Sequence, residues 1–110
     1  MSTQKATTEF IRETLGNPKR FSARAMFGEY ALYVDQKVVA LVCDDQLYVK
    51  ILPASSALES LCEKDAPYQG AKPHYLVEEE QIIGLDSLPR ILRALAKALP
   101  EKQKKRKPSP

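Results

Sequence analysis

The residues of this chain that could do chemistry fall into four groups. The first is a single histidine, His74, with two cysteines, Cys43 and Cys62. A Cys–His nucleophile pair needs thiol and imidazole within hydrogen-bond reach and a third group to orient the ring, and no spacing here places them together. One histidine and two distant cysteines also fall short of the four ligands of a zinc site. Both cysteines lie in apolar stretches, Val42-Cys43 and Leu61-Cys62, and read as free thiols serving as small core hydrophobes in a reducing compartment. The second group is acidic: Asp44-Asp45 and Glu78-Glu79-Glu80. Acid–base catalysis needs carboxylates that converge with pKa values pushed apart, whereas neighbours in sequence suit a turn or a solvated tip. The chain has neither G-x-G-x-x-G nor a P-loop. The expectation is a protein that is not an enzyme, with no catalytic residues, metal or cofactor.

The third group is the basic run at the C-terminus. Residues 101–110 hold Lys102, Lys104, Lys105, Arg106 and Lys107 against one glutamate. The other hundred residues then carry twelve basic and thirteen acidic side chains, so the net charge of +3 comes from the tail. Read plainly, the tail is a disordered solubilising end. Read functionally, it would neutralise up to about five phosphates and give weak, salt-sensitive nucleic-acid binding. No aromatics interleave with its cations, so base stacking is not on offer.

The fourth group is the segment Met26-Phe27-Gly28 with Tyr30, Tyr33 and, further on, Tyr48. These residues either pack across a sheet, as strand aromatics do, or form an interaction surface. Gly28 marks a bulge or a close backbone approach.

The elements that must position these groups are legible in outline. Residues 3–15 read as an amphipathic helix capped by Thr3, with Ala6, Phe10, Ile11 and Leu15 on one face. Gly16 and Pro18 end it. Runs 25–34, 37–43 and 46–51 are rich in β-branched and aromatic residues and are separated by the pairs Asp35-Gln36 and Asp44-Asp45. Such two-residue gaps predict a meander of hairpins, although neither pair ends in the favoured glycine. In the middle run Val38, Ala40 and Val42 would face one side and Val39, Leu41 and Cys43 the other. Both faces are apolar, so helices on each side, or a second subunit on one, should cover this strand. Residues 53–62 read as a helix with a Ser56–Glu59 capping box, 65–73 as a loop, and 75–77 and 81–83 as two short strands or one long strand bent around Glu78–Glu80. A final helix follows Asp86 or Ser87, with Leu88, Ile91, Leu92, Leu95 and Leu99 at helical spacing and Pro100 as its stop.

At 110 residues the chain is expected to form one domain over residues 1–100 followed by the tail 101–110. Its longest apolar run, 38–43, is far too short to span a bilayer, and no apolar core follows the opening Met-Ser-Thr-Gln-Lys. A cytoplasmic location without membrane association is expected.

The stretch Met26-Phe27-Gly28-Glu29-Tyr30-Ala31-Leu32-Tyr33-Val34, followed by Val39-Ala40-Leu41-Val42 and Leu47-Tyr48-Val49-Lys50, resembles the TfoX N-terminal domain family, named for a bacterial regulator of natural competence. Glu29 and Ala31 stand where that pattern has glycine. The resemblance implies an α+β fold similar to the secretion-chaperone-like arrangement α-β(3)-α-β(2)-α, with a five-stranded, mainly antiparallel sheet. It also implies a non-enzymatic part in transcriptional control of DNA uptake. The expected working surface is Met26, Phe27, Gly28, Tyr30, Tyr33 and Tyr48, turned toward a protein partner or a homodimer contact. The alternative is a weak nucleic-acid binder acting through Lys102, Lys104, Lys105, Arg106 and Lys107.

Overall fold

A computed structural model describes residues 3–16 and 20–99. The basic tail with its five cations, Pro100 and residues 17–19 lie outside the described residues. Within them the fold is α+β. Helix α1 (Lys5–Leu15) precedes four strands, β1 (Phe21–Met26), β2 (Glu29–Val34), β3 (Lys37–Cys43) and β4 (Gln46–Val49). A 3₁₀ helix (Pro53–Leu58), two short strands, β5 (Glu63–Asp65) and β6 (His74–Val77), and two helices, α2 (Glu79–Gly84) and α3 (Leu88–Ala98), complete it. The sheet has six strands in the order β1-β2-β3-β4-β6-β5, and every pairing is antiparallel.

The expected meander forms, with one more hairpin than the sequence suggested. Run 25–34 is not one strand, because it folds back at Phe27-Gly28. All three connections hold both central residues at positive φ: Phe27 and Gly28 at 52° and 83°, Asp35 and Gln36 at 52° and 70°, Asp44 and Asp45 at 54° and 62°. That is the type I′ geometry whose twist matches the flanking strands. Five of the six residues carry a Cβ, and each left-handed one costs about 1–2 kcal/mol. Cross-strand packing holds the turns against that cost.

The alternation expected for β3 is broken by a β-bulge. Tyr33 pairs with Val38 but Leu32 pairs with Ala40, so Val39 is an extra residue in the ladder. As a result Val39, Ala40 and Val42 all lie in the core beneath the helices, while Val38, Leu41 and Cys43 belong to a second cluster on the other face. The helices thus cover one face only, and the helix expected on the other is absent among the described residues: there Leu41 and Cys43 are buried by side chains of the neighbouring strands.

The helix-side core joins Phe21, Leu32, Val34, Leu47 and Val49 to α1 and α3. In α3 the buried stripe is Leu88, Ile91, Leu92, Leu95 and Ala96, close to expectation, with Ala96 taking the place given to Leu99. Truncating a residue such as Leu92 to Ala would cost about 2–5 kcal/mol. In α1 the buried residues are Thr8, Ile11 and Leu15. Phe10 and Ala6 turn instead toward a cleft against α2.

Three further expectations are corrected. The N-cap of α1 is Gln4, not Thr3. Residues 53–58 form a 3₁₀ helix where an α-helix over 53–62 was expected, and the wholly buried Ser55, not Ser56, closes its start, accepting from Leu52 N at 3.0 Å and donating to Lys50 O at 2.7 Å. Residues 81–83 lie in helix α2. Gln81 Oε1 accepts from Glu78 N at 2.9 Å, and Glu79 and Glu80 sit in a first turn where the helix dipole favours acids.

Candidate functional site

The β1–β2 tip is the most unusual surface feature among the described residues. Phe27 is 100% exposed while holding a left-handed conformation, a combination a bulky side chain rarely adopts. The ring therefore gives the folded monomer no burial, and its backbone is strained.

The tip is braced from behind. Gly28 O accepts from Thr3 N at 3.0 Å. The buried Thr3 hydroxyl contacts the Glu29 carboxylate and lies 3.1 Å from Val42 O. Glu29 Oε1 also accepts from Asp44 N at 3.0 Å, and Thr3 Oγ1 accepts from Asp45 N at 3.2 Å. The side chain of Asp45 turns to α1, where Oδ1 accepts from Gln4 N and Thr7 Oγ1, each at 2.9 Å. Thus the β3–β4 tip supplies the cap that α1 lacks locally, and the N-terminal segment ties two hairpin tips together. Thr3 is the hub of this network, and Glu29, where the resembled pattern has glycine, links it to Asp44.

Behind the tip lies the sheet face opposite the helices. One register row crosses all six strands: Arg24, Ala31, Leu41, Tyr48, Leu76 and Glu63. Ala31, Leu41, Cys43 and Tyr48 are buried at its centre, under half-buried Met26, Tyr33, Val38 and Leu76. No helix residue belongs to this cluster. The Arg24 guanidinium lies over the Tyr33 ring, 5.3 Å from its centroid.

The six residues expected to share a surface are therefore divided. Phe27 stands free at the tip, and Met26 and Tyr33 form part of the adjoining face. Gly28 is a turn residue. Tyr48 is only 5% exposed, its hydroxyl donates to Gln46 Oε1 at 3.1 Å, and burial, then nearby negative groups, push its pKa up. It supports the face rather than presenting itself. Tyr30 points to the helix side, packed against the main core.

The thiols and the histidine are not brought together. Burial, with Glu29 and Asp44 adding to it, pushes the Cys43 thiol up to about 11. Burial likewise raises Cys62, whose sulfur lies 3.6 Å from Gln81 Oε1. His74 Nδ1 is 2.9 Å from Lys72 O, at the far end of the sheet from Cys43. Neither cysteine has the electropositive surroundings of a reactive thiolate. Among the described residues no three His, Cys, Asp or Glu side chains gather as a metal-binding group.

Two grooves carry charge. One of about 520 Å³ between α1 and α2 has Phe10, Leu47 and Ile82 in its wall and Asp45, Glu78 and Glu79 at its rim. The other, about 560 Å³, lies between α3 and the β2–β3 tip and is lined by Arg20, Lys37, Arg90, Arg93 and Lys97 with Asp35. Composition hid the second groove, because its cations are scattered through a near-neutral body.

The model of the TfoX N-terminal domain matches residues 13–98. The chain belongs to the TfoX N-terminal domain family. A relative described as an uncharacterized 12.7 kDa protein in the trpE 5′ region of Spirochaeta aurantia is 35% identical over 103 residues, covering 91% of this chain and 86% of its own length. For this TfoX-N chain, no helix among the described residues is long and apolar enough to cross a membrane.

Proposed function

We propose that this TfoX-N protein is a non-enzymatic regulatory module that works by binding another protein, with Phe27 as its anchor. The family suggests that the process is transcriptional control of the competence type. The observation that carries the reading is the conformation and exposure of Phe27. A strained backbone and an unburied phenyl both oppose the stability of the isolated fold, and the braced tip keeps them in place. Burying such a ring in a partner contributes about 1.5–3 kcal/mol, from a turn whose backbone is already ordered. Strain of this kind is a pointer to function once it has been observed.

The test places a photoreactive phenylalanine analogue at position 27, and in a parallel sample at Tyr68, an aromatic that is 58% exposed. Irradiation in cells of the source organism should give one discrete adduct from position 27 and none of that size from position 68. The same adducts from both positions, or none from position 27, would refute the anchor.

One observation favours a second copy of this chain as the partner. The apolar row on the helix-free face begins at Arg24 on one sheet edge and ends at Glu63 on the other. Two copies packed face to face about a twofold axis parallel to the strands bring each Arg24 over the partner's Glu63. In this reading Arg24→Glu or Glu63→Arg alone weakens dimerisation in sedimentation experiments and the two together restore it. Identical monomeric profiles for the wild type and all three variants would exclude the second copy.

A further inference from the structure

We propose that the outer edge of β1 takes up an extended acidic segment of another protein as a further strand of the sheet. The two edges of the sheet are built differently. At one end β5 is three residues long and every one is charged, Glu63, Lys64 and Asp65. Short, charged edges resist further pairing. At the other end β1 runs for six residues, Phe21–Met26, without proline, glycine or lysine, and it pairs with β2 without a bulge. The sequence devices that usually blunt an edge are missing there.

The ladder decides which main-chain groups this edge offers. Asp35 N donates to Arg20 O at 3.1 Å, and hydrogen-bonded pairs alternate along an antiparallel ladder. Ser22, Arg24 and Met26 therefore bond inward to β2, while the N–H and C=O of Ala23 and Ala25 turn outward. Among the described residues no other segment bonds to these four groups. Ala25 is exposed and Ala23 half-buried. Strand addition draws its affinity from such main-chain groups and its specificity from the side chains beside them.

Those side chains select an acidic partner. On the helix-free face Arg24 is exposed and lies over Tyr33, 5.3 Å from the ring centroid. On the helix side a small pocket of about 130 Å³ joins Ala23 and Tyr30 to Lys5, Thr8, Glu9 and Arg12 of α1. Glu9 is set against Lys5 at 4.0 Å, and Arg12 takes part in no ion pair among the described residues. In an added strand the residue opposite Arg24 points to the first face and its neighbour, opposite Ala23, to the second. Two adjacent acids within a β-branched segment thus meet one arginine each. A second copy of β1 fits less well, because pairing it antiparallel about Ala23 brings the two Arg24 side chains to diagonal positions on one face, where like charges repel. The site uses no atom of Phe27 and stands apart from the anchor.

The test is NMR of the ¹⁵N-labelled full chain, titrated with the end-blocked peptide Thr-Val-Glu-Glu-Val-Thr. In the free protein the Ala23 and Ala25 amides should exchange with solvent faster than that of Arg24. At millimolar peptide both alanine amides should shift and exchange more slowly, and the same peptide with Lys-Lys at its centre should leave them unmoved. Arg12→Gln and Arg24→Gln should each weaken binding by up to about fivefold. N-methylation of alternate peptide amides probes the ladder without touching the fold: one set should abolish binding and the other should keep it. Phe27→Ala should leave all of this in place, so the anchor and the edge can fail separately. Slow exchange at Ala23 and Ala25 in the free protein would mean that the edge is already covered, and would overturn the proposal. It would equally be overturned by no response to the acidic peptide, equal binding of the Lys-Lys peptide, or unchanged affinity in both arginine variants. Equal effects of the two methylated sets, or loss of binding in Phe27→Ala, would also overturn it.

Discussion

Replacing Phe27 by glycine should make the isolated protein more stable. Phe27 sits at φ 52° in a type I′ turn, where a residue with a Cβ costs about 1–2 kcal/mol. Glycine removes that cost but adds roughly 0.5–1 kcal/mol of backbone entropy to the unfolded chain. Since the side chain is 100% exposed, no packing is lost. The net gain is about 0.5–1 kcal/mol, or a rise in Tm of roughly 2–6 °C for a domain of this size. Urea unfolding followed by circular dichroism measures it, with the denaturant slope expected to stay constant. Gln36→Gly is the internal control. Gln36 is exposed at φ 70° in the equivalent hairpin tip, and the same arithmetic applies. A fall in stability for Phe27→Gly beside a rise for Gln36→Gly would refute the reasoning, because the ring would then be packing within the monomer.

Asp45→Ala should cost about 1–2 kcal/mol in the same assay, since it removes the acceptor for Gln4 N and Thr7 Oγ1 at the start of α1. Thr8→Val should be neutral or stabilising by up to about 1 kcal/mol, because the Thr8 hydroxyl is buried without a hydrogen-bond partner and its removal ends a desolvation cost. The Arg20–Asp35 pair predicts an acid dependence. Arg20 holds the Asp35 carboxyl below its ordinary value, so this contribution is present above the unfolded carboxyl pKa and is lost as pH falls through the lowered folded one. Asp35→Asn should flatten that part of a stability-versus-pH curve below about pH 4 and leave the rest unchanged.

The meander was readable because runs 37–43 and 46–51 are separated by an interval that only a tight turn fills. The first hairpin was not, because Phe27 occupies a position where Asn, Asp or Gly would have announced the turn. Gln81-Ile82-Ile83 looks like a strand by composition, and it becomes a helix through the bond from Glu78 N to Gln81, a local contact that β-branched content cannot report. The edge strand Glu63–Asp65 is wholly exposed and carries no hydrophobic pattern, and only its pairing with β6 makes it a strand. The bulge at Val39 escaped for a related reason, since a run apolar on both faces gives no signal when the alternation slips. At the candidate site, sequence singled out Phe27 but grouped it with Tyr30 and Tyr48, which strand alternation and burial turn away. The basic groove needed three dimensions, because Arg20, Lys37 and the α3 cations meet only through tertiary packing.

The most direct measurement of the central claim is a ¹⁹F NMR spectrum with 4-fluorophenylalanine placed only at position 27. The dilute purified protein should give a sharp resonance near that of the free amino acid, as a fully exposed ring requires. Adding extract from the source organism should shift or broaden it, while a matching label at Tyr68 stays as it was. A resonance at position 27 that stays sharp and unshifted in the extract, or that is already displaced in the dilute protein, would contradict the account of Phe27 as an anchor held out for a partner.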